Sequence, residues 1–336
     1  MEKTIRDQFN QNILTQALAY YQIKPDDAVM LDGFESFIYN VQKNGHEFIL
    51  RIGHSSRRTP DLVQGESEFL NHLARGGLSV PQVLPSIHGN LVETIEAADG
   101  SLFLTTLFEK APGGPPGTTD WKPQLHQDMG RFMGKLHRLS KQFRPSAVQY
   151  KRFDIKDDLT EVQQTARKHL PESDHGILTA LEETVAAIHQ LPSCNDCYGL
   201  CHIDFHGGNF FITDDGQITL FDFDDCQYAW FIYDIAMALF YVTPPDCASG
   251  SQRRDAMSFL QNFWKGYQIE NNLNRSWLAH IALFLRLREI DLYILIHRSM
   301  DLNNLDRWCA SYMKNRHEKI LGNVPYCDIA FDSAKN

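Results

Sequence analysis

The first strong period along the chain is helical. Ile5, Phe9, Ile13, Leu14, Leu18 and Tyr21 recur at three- and four-residue steps, which predicts an amphipathic helix at the start. The period then drops to two. Phe37, Tyr39 and Val41 alternate with polar residues, Lys43-Asn44-Gly45 follows, and Phe48-Ile49-Leu50-Arg51-Ile52 comes next, which predicts a β-hairpin turning at Asn-Gly. Residues 61–76 return to a helical period, stopped by Gly76-Gly77. Pro81 and Pro85 punctuate a connector. Residues 90–95 and 101–108 read as strands joined by Ala98-Asp99-Gly100.

The strongest breaker is Ala111-Pro112-Gly113-Gly114-Pro115-Pro116-Gly117. It divides a mixed N-terminal lobe, residues 1–109, from a larger and mainly helical lobe, residues 110–336. Helical periods in the second lobe cover about 121–140, 155–168, 175–190, 228–242, 251–269 and 275–298. One β island interrupts them: Phe210-Phe211-Ile212-Thr213, a turn at Asp214-Asp215-Gly216, and Gln217-Ile218-Thr219-Leu220-Phe221. The expected class is α+β, with a small antiparallel sheet in the first lobe.

A length of 336 residues suits two such lobes, at roughly 100–200 residues each. With 43% hydrophobic and 22% charged residues the chain is of globular rather than disordered composition. Lys and Arg number 32 against 42 Asp and Glu, a formal charge of −10. That balance repels phosphate backbones and anionic membranes, so neither nucleic acid nor membrane is an expected partner. It leaves room for one triphosphate held by a few local cations or a metal ion. The N-terminus is charged and has no signal-peptide core. The most apolar run, residues 228–242, is short for a bilayer and carries Asp234. Seven cysteines, an odd number, suit reduced thiols in a cytoplasm.

Candidate chemistry concentrates around the β island. Before it stands His202-Ile203-Asp204-Phe205-His206-Gly207-Gly208-Asn209, and after it Asp222-Phe223-Asp224-Asp225. The pattern H-x-D-x4-N, hairpin, D-F-D has the spacing of a kinase catalytic loop followed by its metal-binding Asp. Phosphoryl transfer needs positioning and charge neutralisation more than covalent help. A hard cation bridging phosphates takes oxygen ligands, which Asn209 and Asp222 can supply from the two ends of one hairpin.

On these residues the chain resembles the aminoglycoside phosphotransferase family, a group related to protein kinases that includes choline kinases and type II homoserine kinases. The resemblance implies a two-lobe protein-kinase-like fold and Mg2+-dependent transfer of the γ-phosphate of ATP or GTP. The acceptor would be a hydroxyl on a small amine-bearing molecule such as an amino alcohol, hydroxy-amino acid or aminoglycoside. It also implies roles. Asp204 is the catalytic base and His202 its support; Asn209 and Asp222 hold the metal, and Asp224 is a further ligand. Arg51 and Glu66 form the phosphate-binding pair. Gly33-Phe34-Glu35-Ser36-Phe37 resembles the nucleotide-covering loop, so Gly33, Glu35 and Ser36 face phosphate. Thr105-Thr106-Leu107-Phe108-Glu109 resembles the purine hinge, through Thr106, Leu107 and Glu109. Tyr233-Asp234-Ile235-Ala236 resembles the segment whose Asp braces the catalytic loop. Two features depart from protein kinases: Arg51 stands where they carry Lys, and Gly33 is the loop's one glycine.

Other residues carry less. Asp154, Asp157, Asp158, Asp225, Glu289 and Asp291 are candidates for an acidic acceptor pocket, with Trp230, Phe231, Tyr233, Trp264 and Tyr267 as a cation–π face. Among the substrate-binding expectations, Asp225, Glu289 and Asp291 stand first. Cys194-x2-Cys197-x3-Cys201-His202 admits a zinc clamp or free thiols entering a buried strand. His206 is a second base or a loop-packing residue. Two further readings of the whole chain stay open: a protein Ser/Thr kinase of the bacterial stress-response type, and a non-catalytic kinase-fold binding or structural protein.

Overall fold

A computed structural model describes residues 3–31, 33, 35–244 and 250–328. In chain order the first elements are α1 (Lys3–Gln8), α2 (Gln11–Ala19), β1 (Ala28–Leu31), β2 (Phe37–Lys43), β3 (His46–His54), α3 (Pro60–Arg75), β4 (Val83–Leu84), β5 (Glu93–Glu96) and β6 (Leu102–Glu109). Then follow α4 (Pro123–Ser140), α5 (Ile155–His169), α6 (His175–His189), β7 (Tyr198–Cys201), β8 (Phe210–Ile212), β9 (Ile218–Leu220), β10 (Gln227–Trp230) and α7 (Phe231–Val242). The chain continues through α8 (Gly250–Glu270), α9 (Ile281–Ser299), α10 (Arg307–Met313) and α11 (Arg316–Leu321).

These elements pack as two compact units. The first runs to Pro115 and also takes in Gln142–Arg152 and Phe210–Asp224. The second holds Pro116–Lys141, Phe153–Asn209 and the chain from Asp225 onward. Two segments beyond Pro115 therefore belong to the first unit. Long-range bonds tie the β8–β9 hairpin there: Ile212 N–H donates to the Gly114 carbonyl at 2.8 Å, and Leu220 N–H to that of Ser79 at 3.2 Å.

The first unit is built on an antiparallel sheet of order β1-β2-β3-β6-β4, with β5 also on β6. Asn44 and Gly45 both take positive φ, 53° and 80°, between the paired Lys43 and His46. That is the geometry a two-residue hairpin loop demands, and Asn-Gly meets it at little strain. The opening helix is two helices rather than one. Asn10 breaks it, because its side chain accepts from the N–H groups of Asn12 and Ile13 and so caps a new start. Ile13, Leu14, Ala17 and Leu18 of α2 then bury against Tyr39, Val41, Leu50, Ile52 and Phe103 of the sheet.

The second unit is mostly helical. Helix α7 is buried all round from Phe231 to Phe240, as expected of a helix inside a core. The helical period expected over 228–242 begins only at Phe231. Residues 227–230 extend instead as β10, antiparallel to β7, where Tyr228 and Trp230 suit a strand. No helix among the described residues is long and apolar enough to cross a membrane.

Helices α4 and α8 approach at glycines. A Cβ on Gly130 would lie 1.8 Å from the Phe263 carbonyl oxygen, and one on Gly266 1.8 Å from that of Gln127. Neither backbone can yield without separating the helices. Gly130→Ala should therefore cost about 1–3 kcal/mol or more. Chemical denaturation would show it as a lower midpoint at unchanged m-value; an unshifted midpoint would contradict the close approach.

Candidate functional site

Each unit carries one group of candidate residues. In the first, strand β3 presents Arg51 to Glu66 of α3. The guanidinium donates twice, Nη1 to Oε1 at 2.8 Å and Nη2 to Oε2 at 2.6 Å. Glu66 is buried, and Phe108 lies beneath the guanidinium with 4.9 Å from Cζ to the ring centroid. Burial opposes the Arg51 charge, but Glu66, Asp224 and Asp222 outweigh it and raise its pKa. This two-pronged pair is the geometry that distinguishes Arg from Lys at such a position.

Asp222 and Asp224 follow the hairpin. Asp222 is exposed and sits at φ 62°, left-handed backbone that a non-glycine residue adopts only when its surroundings impose it. Asp224 does not match its expected metal-binding role. Its Oδ2 accepts from Arg57 Nε at 2.9 Å and pairs with Arg57 Nη2 at 2.8 Å and Arg58 Nη2 at 3.2 Å. Burial pushes its pKa up, but Arg51, Arg58, Arg57 and Arg152 override that and hold it at about 2. Four guanidiniums occupy the field a cation would need. Arg57 also pairs with Glu35 of the expected phosphate loop.

Gly33 is fixed there by crowding, since a Cβ would stand 2.2 Å from the Ser36 carbonyl oxygen. Ser36 lines a small cavity with Arg51, Gly53, Arg57, Arg58 and Asp224. Phe34 lies outside the described residues. Of the hinge residues, Thr106 and Leu107 are interior sheet positions. They pair with Arg51 and Leu50 of β3, and Leu107 also pairs with Leu84 of β4. Both side chains are buried, and the role the resemblance implies for this segment is one of the backbone. Only Glu109, at the exposed end of β6, stands open.

The second unit holds the loop from His202 to Asn209. Asp234, on the first turn of α7, is fully buried beneath it. Its Oδ2 accepts the His202 N–H at 2.9 Å and its Oδ1 the Ile203 N–H at 2.8 Å. His137 Nε2 lies 3.0 Å from Oδ2, and Tyr267 Oη lies 2.8 Å from His137 Nδ1, with Asn271 Nδ2 donating to that Oη at 2.7 Å. Burial pushes His137 down, so the ring is neutral and gives its Nε2–H to Asp234. Burial alone would raise Asp234; the bonds from His137 and the His202 amide hold it below the usual carboxylate range. Ile203 sits at φ 74°, a costly conformation for a β-branched residue.

Asp204 follows that bend. Its Oδ2 accepts from Asn209 Nδ2 at 2.9 Å and lies 3.2 Å from His206 Nε2. Its Oδ1 is buried and makes no hydrogen bond of full geometry among the described residues, with the Tyr241 hydroxyl beside the carboxylate. Burial pushes its pKa up, but His206, Arg288 and His202 outweigh that and hold it well below the carboxylate range. Buried His202 accepts the Asp204 N–H through Nδ1 at 3.1 Å. Gly208 N–H donates to His206 Nδ1 at 3.0 Å, so the other ring nitrogen carries the proton toward Asp204. Both nitrogens of His206 are thus spent within the loop, as a packing residue rather than a second base.

Of the acidic residues, some gather and some do not. Burial, then Asp291, Glu161 and Asp225, raise Asp158 to about 6, so Asp158, Asp225 and Asp291 share one negative field. Asp291 pairs with Arg288 at 2.9 Å, and Arg288 Nη2 donates to Tyr241 Oη at 2.5 Å. Glu289 leaves the group. It points to the opposite side of α9, buried, with Oε1 on Arg316 Nη1 at 2.5 Å. Asp154 caps α5 and accepts from Tyr198 Oη. The proposed aromatic face is core: Trp230 Nε1 donates to the Pro192 carbonyl, and Phe231 stacks on His137. Arg57, Arg58, Arg152, Tyr241 and Arg288 were not expected at the site. The Arg57-Arg58 doublet just past β3 was the available signal for the first two.

Cys201 does not join a zinc clamp. Its Sγ donates to the Gly199 and Ala229 carbonyls. Among the described residues, His137, Cys201 and Asp234 lie within ligand distance of one another, but all three are buried and hydrogen-bonded.

A small antiparallel sheet and a helical unit, each with its own group of candidate residues, are the parts of a protein-kinase-like phosphotransferase. The model of the phosphotransferase enzyme family matches residues 30–279, and the chain belongs to that family; it is a phosphotransferase acting on a hydroxyl group. It is 37% identical over 307 residues to the amicoumacin kinase of Bacillus subtilis (strain 168), covering 91% of this chain and 90% of that one. A solved structure of amicoumacin kinase hAmiN, in complex with AMP-PNP, Ca2+ and Ami, superposes with a TM-score of 0.91 at 32% identity, over 98% of each chain. The microcompartment-associated aminopropanol kinase has the same fold, with a TM-score of 0.68 at 24% identity over 93% of this chain and 94% of that one.

Proposed function

We propose that this phosphotransferase moves the γ-phosphate of ATP, carried as its Mg2+ complex, to a hydroxyl of a small amine-bearing acceptor in the cytoplasm. The observation that carries the reading is Asp204: an ionised carboxylate, firmly oriented, with one buried oxygen that makes no full hydrogen bond among the described residues. Such an oxygen can take the hydrogen bond of an incoming hydroxyl and orient it.

Asn209 and Asp222 each carry an oxygen donor of the kind a divalent metal takes. Asn209 gives its amide nitrogen to Asp204, through both the carbonyl and Oδ2, so its amide oxygen is the end that faces a ligand. Asp222 adds an exposed carboxylate, and oxygen donors of this sort suit Mg2+. When bound, the ion would neutralise phosphate charge. Arg51 would grip the α- and β-phosphates, kept in place by Glu66. His202, Asp204 and Asp234 act from the protein side: they hold the loop, and Asp204 receives the proton.

The acidic field of Asp158, Asp225 and Asp291 supports an ammonium group on the acceptor, with Arg288 and Tyr241 between it and Asp204. By name one relative acts on amicoumacin, and a protein of the same fold acts on an amino alcohol, aminopropanol, which supports a small amine-bearing acceptor here. The test is ADP release, coupled to an indicator reaction, over a panel holding amicoumacin, amino alcohols and aminoglycosides. Release above the acceptor-free rate with a member of the panel is expected. A flat response across the panel, with a protein hydroxyl phosphorylated instead, would reject the amine-bearing class.

Asp158 gives a second test. Its pKa is raised in the folded state, so its charge opposes folding, increasingly as pH climbs from the unfolded value through about 6. Asp158→Asn should therefore raise the thermal midpoint at pH 7.5. The same change should raise the acceptor KM about tenfold. In the native enzyme acceptor KM should rise as pH falls through 6. A variant less stable than the parent at pH 7.5 would contradict the assignment.

A further inference from the structure

The segment Ser193-Cys194-Asn195-Asp196-Cys197 leads into β7 and plays no part in the phosphotransfer reading. Its two cysteines face each other across a tight turn, closed by the Cys197 N–H to Cys194 carbonyl bond of 3.0 Å. The two sulfurs lie 2.9 Å apart, nearer than unbonded thiols need to be. Cys194 is exposed and Cys197 is buried. The turn is anchored on both sides. Phe231 N–H donates to the Cys197 carbonyl at 2.9 Å, and Trp230 Nε1 to the Pro192 carbonyl at 2.9 Å.

From this geometry we infer that Cys194 and Cys197 form a redox-active dithiol, which closes to an intrachain disulfide by exchange with a low-molecular-weight disulfide.

The balance is simple. The Cys194 thiolate attacks one sulfur of the small disulfide; a mixed disulfide forms and one small thiolate leaves. Cys197 then gives its proton to a departing thiolate and attacks the Cys194 sulfur. The second small thiol leaves, and the Cys194–Cys197 bond remains. Two protein S–H bonds are lost, one S–S bond is exchanged for another, and the small disulfide is reduced to two thiols.

The surroundings divide the labour between the two sulfurs. Hydrogen bonding from Cys197, with the backbone N–H groups of Asp196 and Cys197, lowers the Cys194 pKa against the opposing effects of slight burial and the Asp196 charge. Lys141 Nζ stands 3.6 Å from Asp196 and offsets that charge. Burial, then the hydrogen bond and charge of Cys194, push Cys197 up to about 12. Two of those causes vanish once Cys194 is tied up in a mixed disulfide, so the second step is released by the first. An exposed attacking thiolate beside a buried resolving thiol is the arrangement such exchange requires.

The test uses the full-length reduced protein with glutathione disulfide, and peptide mapping by mass spectrometry. The peptide carrying both cysteines should lose two hydrogens, and dithiothreitol should restore them. Cys197→Ser should halt at a glutathione adduct on Cys194. Cys194→Ser should leave Cys197 unmodified. A native protein that keeps both thiols, or that accumulates the adduct without closing, would overturn the inference. Because the readout is made on the native protein, misfolding of either variant leaves it decisive.

Discussion

Asp204→Ala should lower turnover by about 10²–10⁴-fold and leave nucleotide affinity almost unchanged. The magnitude is that of a positioned base and orienter. The carboxylate is held ionised by His206 and Arg288, so at neutral pH it already has the form that accepts a proton. Its Oδ2 is committed to Asn209 and its Oδ1 is not, which separates a fixing oxygen from a working one. Removing the side chain takes both away. Asn209 keeps its bond to the Asp204 carbonyl at 3.0 Å, so the loop retains one of its two ties. Single-turnover kinetics with saturating acceptor would measure the chemical step, and Mg-ATP titration would measure binding. Unaltered turnover would remove Asp204 from the mechanism. His206→Ala should cost much less, because His206 supports the carboxylate without meeting the acceptor.

Much of this arrangement was legible in the sequence, for identifiable reasons. The hairpin between Phe37 and Ile52 was plain because period-two alternation flanks Asn44-Gly45, and both residues tolerate left-handed backbone. The loop from His202 to Asn209 was plain because Asp204 and Asn209 are near in sequence, and so is their bond. Arg51 and Glu66 are 15 residues apart, yet a strand and the next helix present them to one another without any long-range surprise. What could not be read depends on distant chain. The arginines that claim Asp224 come from 166 or more residues away in Arg57 and Arg58, and 72 away in Arg152. Glu289 and Asp291 lie two apart on α9 and so point to different sides; a pattern of charges cannot say which side meets the loop from His202 to Asn209. Asp291 meets Arg288 and Glu289 meets Arg316. Proximity in sequence alone suggests a binding face for the aromatic residues near the motif. Their burial, a property of three dimensions, assigns them to the core.

Asp234→Ala should cost about 3–5 kcal/mol of stability, the range for breaking a buried charged network from one side. Three donors lose their acceptor at once: the amides of His202 and Ile203 and the Nε2–H of His137. All three residues lie in the unit's interior, so water cannot easily replace the carboxylate. Ile203 adds a further term. Its φ of 74° is strained, on the order of 1–3 kcal/mol, and the Asp234 bond to its N–H is what opposes relaxation. The thermal midpoint should fall on the order of 10 °C. The pH dependence carries an independent sign. Asp234 has a lowered pKa in the folded state, so its stabilisation is complete above the unfolded carboxylate pKa, about 3.9, and is lost as pH falls toward the folded value. The variant should therefore lose part of the parent's acid sensitivity below pH ~4. Asp234→Asn separates the two contributions. It keeps an oxygen for the Ile203 amide but turns an N–H₂ toward the His202 amide and His137, so it should fold better than the alanine variant while turning over more slowly than the parent. Equal midpoints for parent and Asp234→Ala would show that the loop's bend at Ile203 is maintained by something other than this carboxylate.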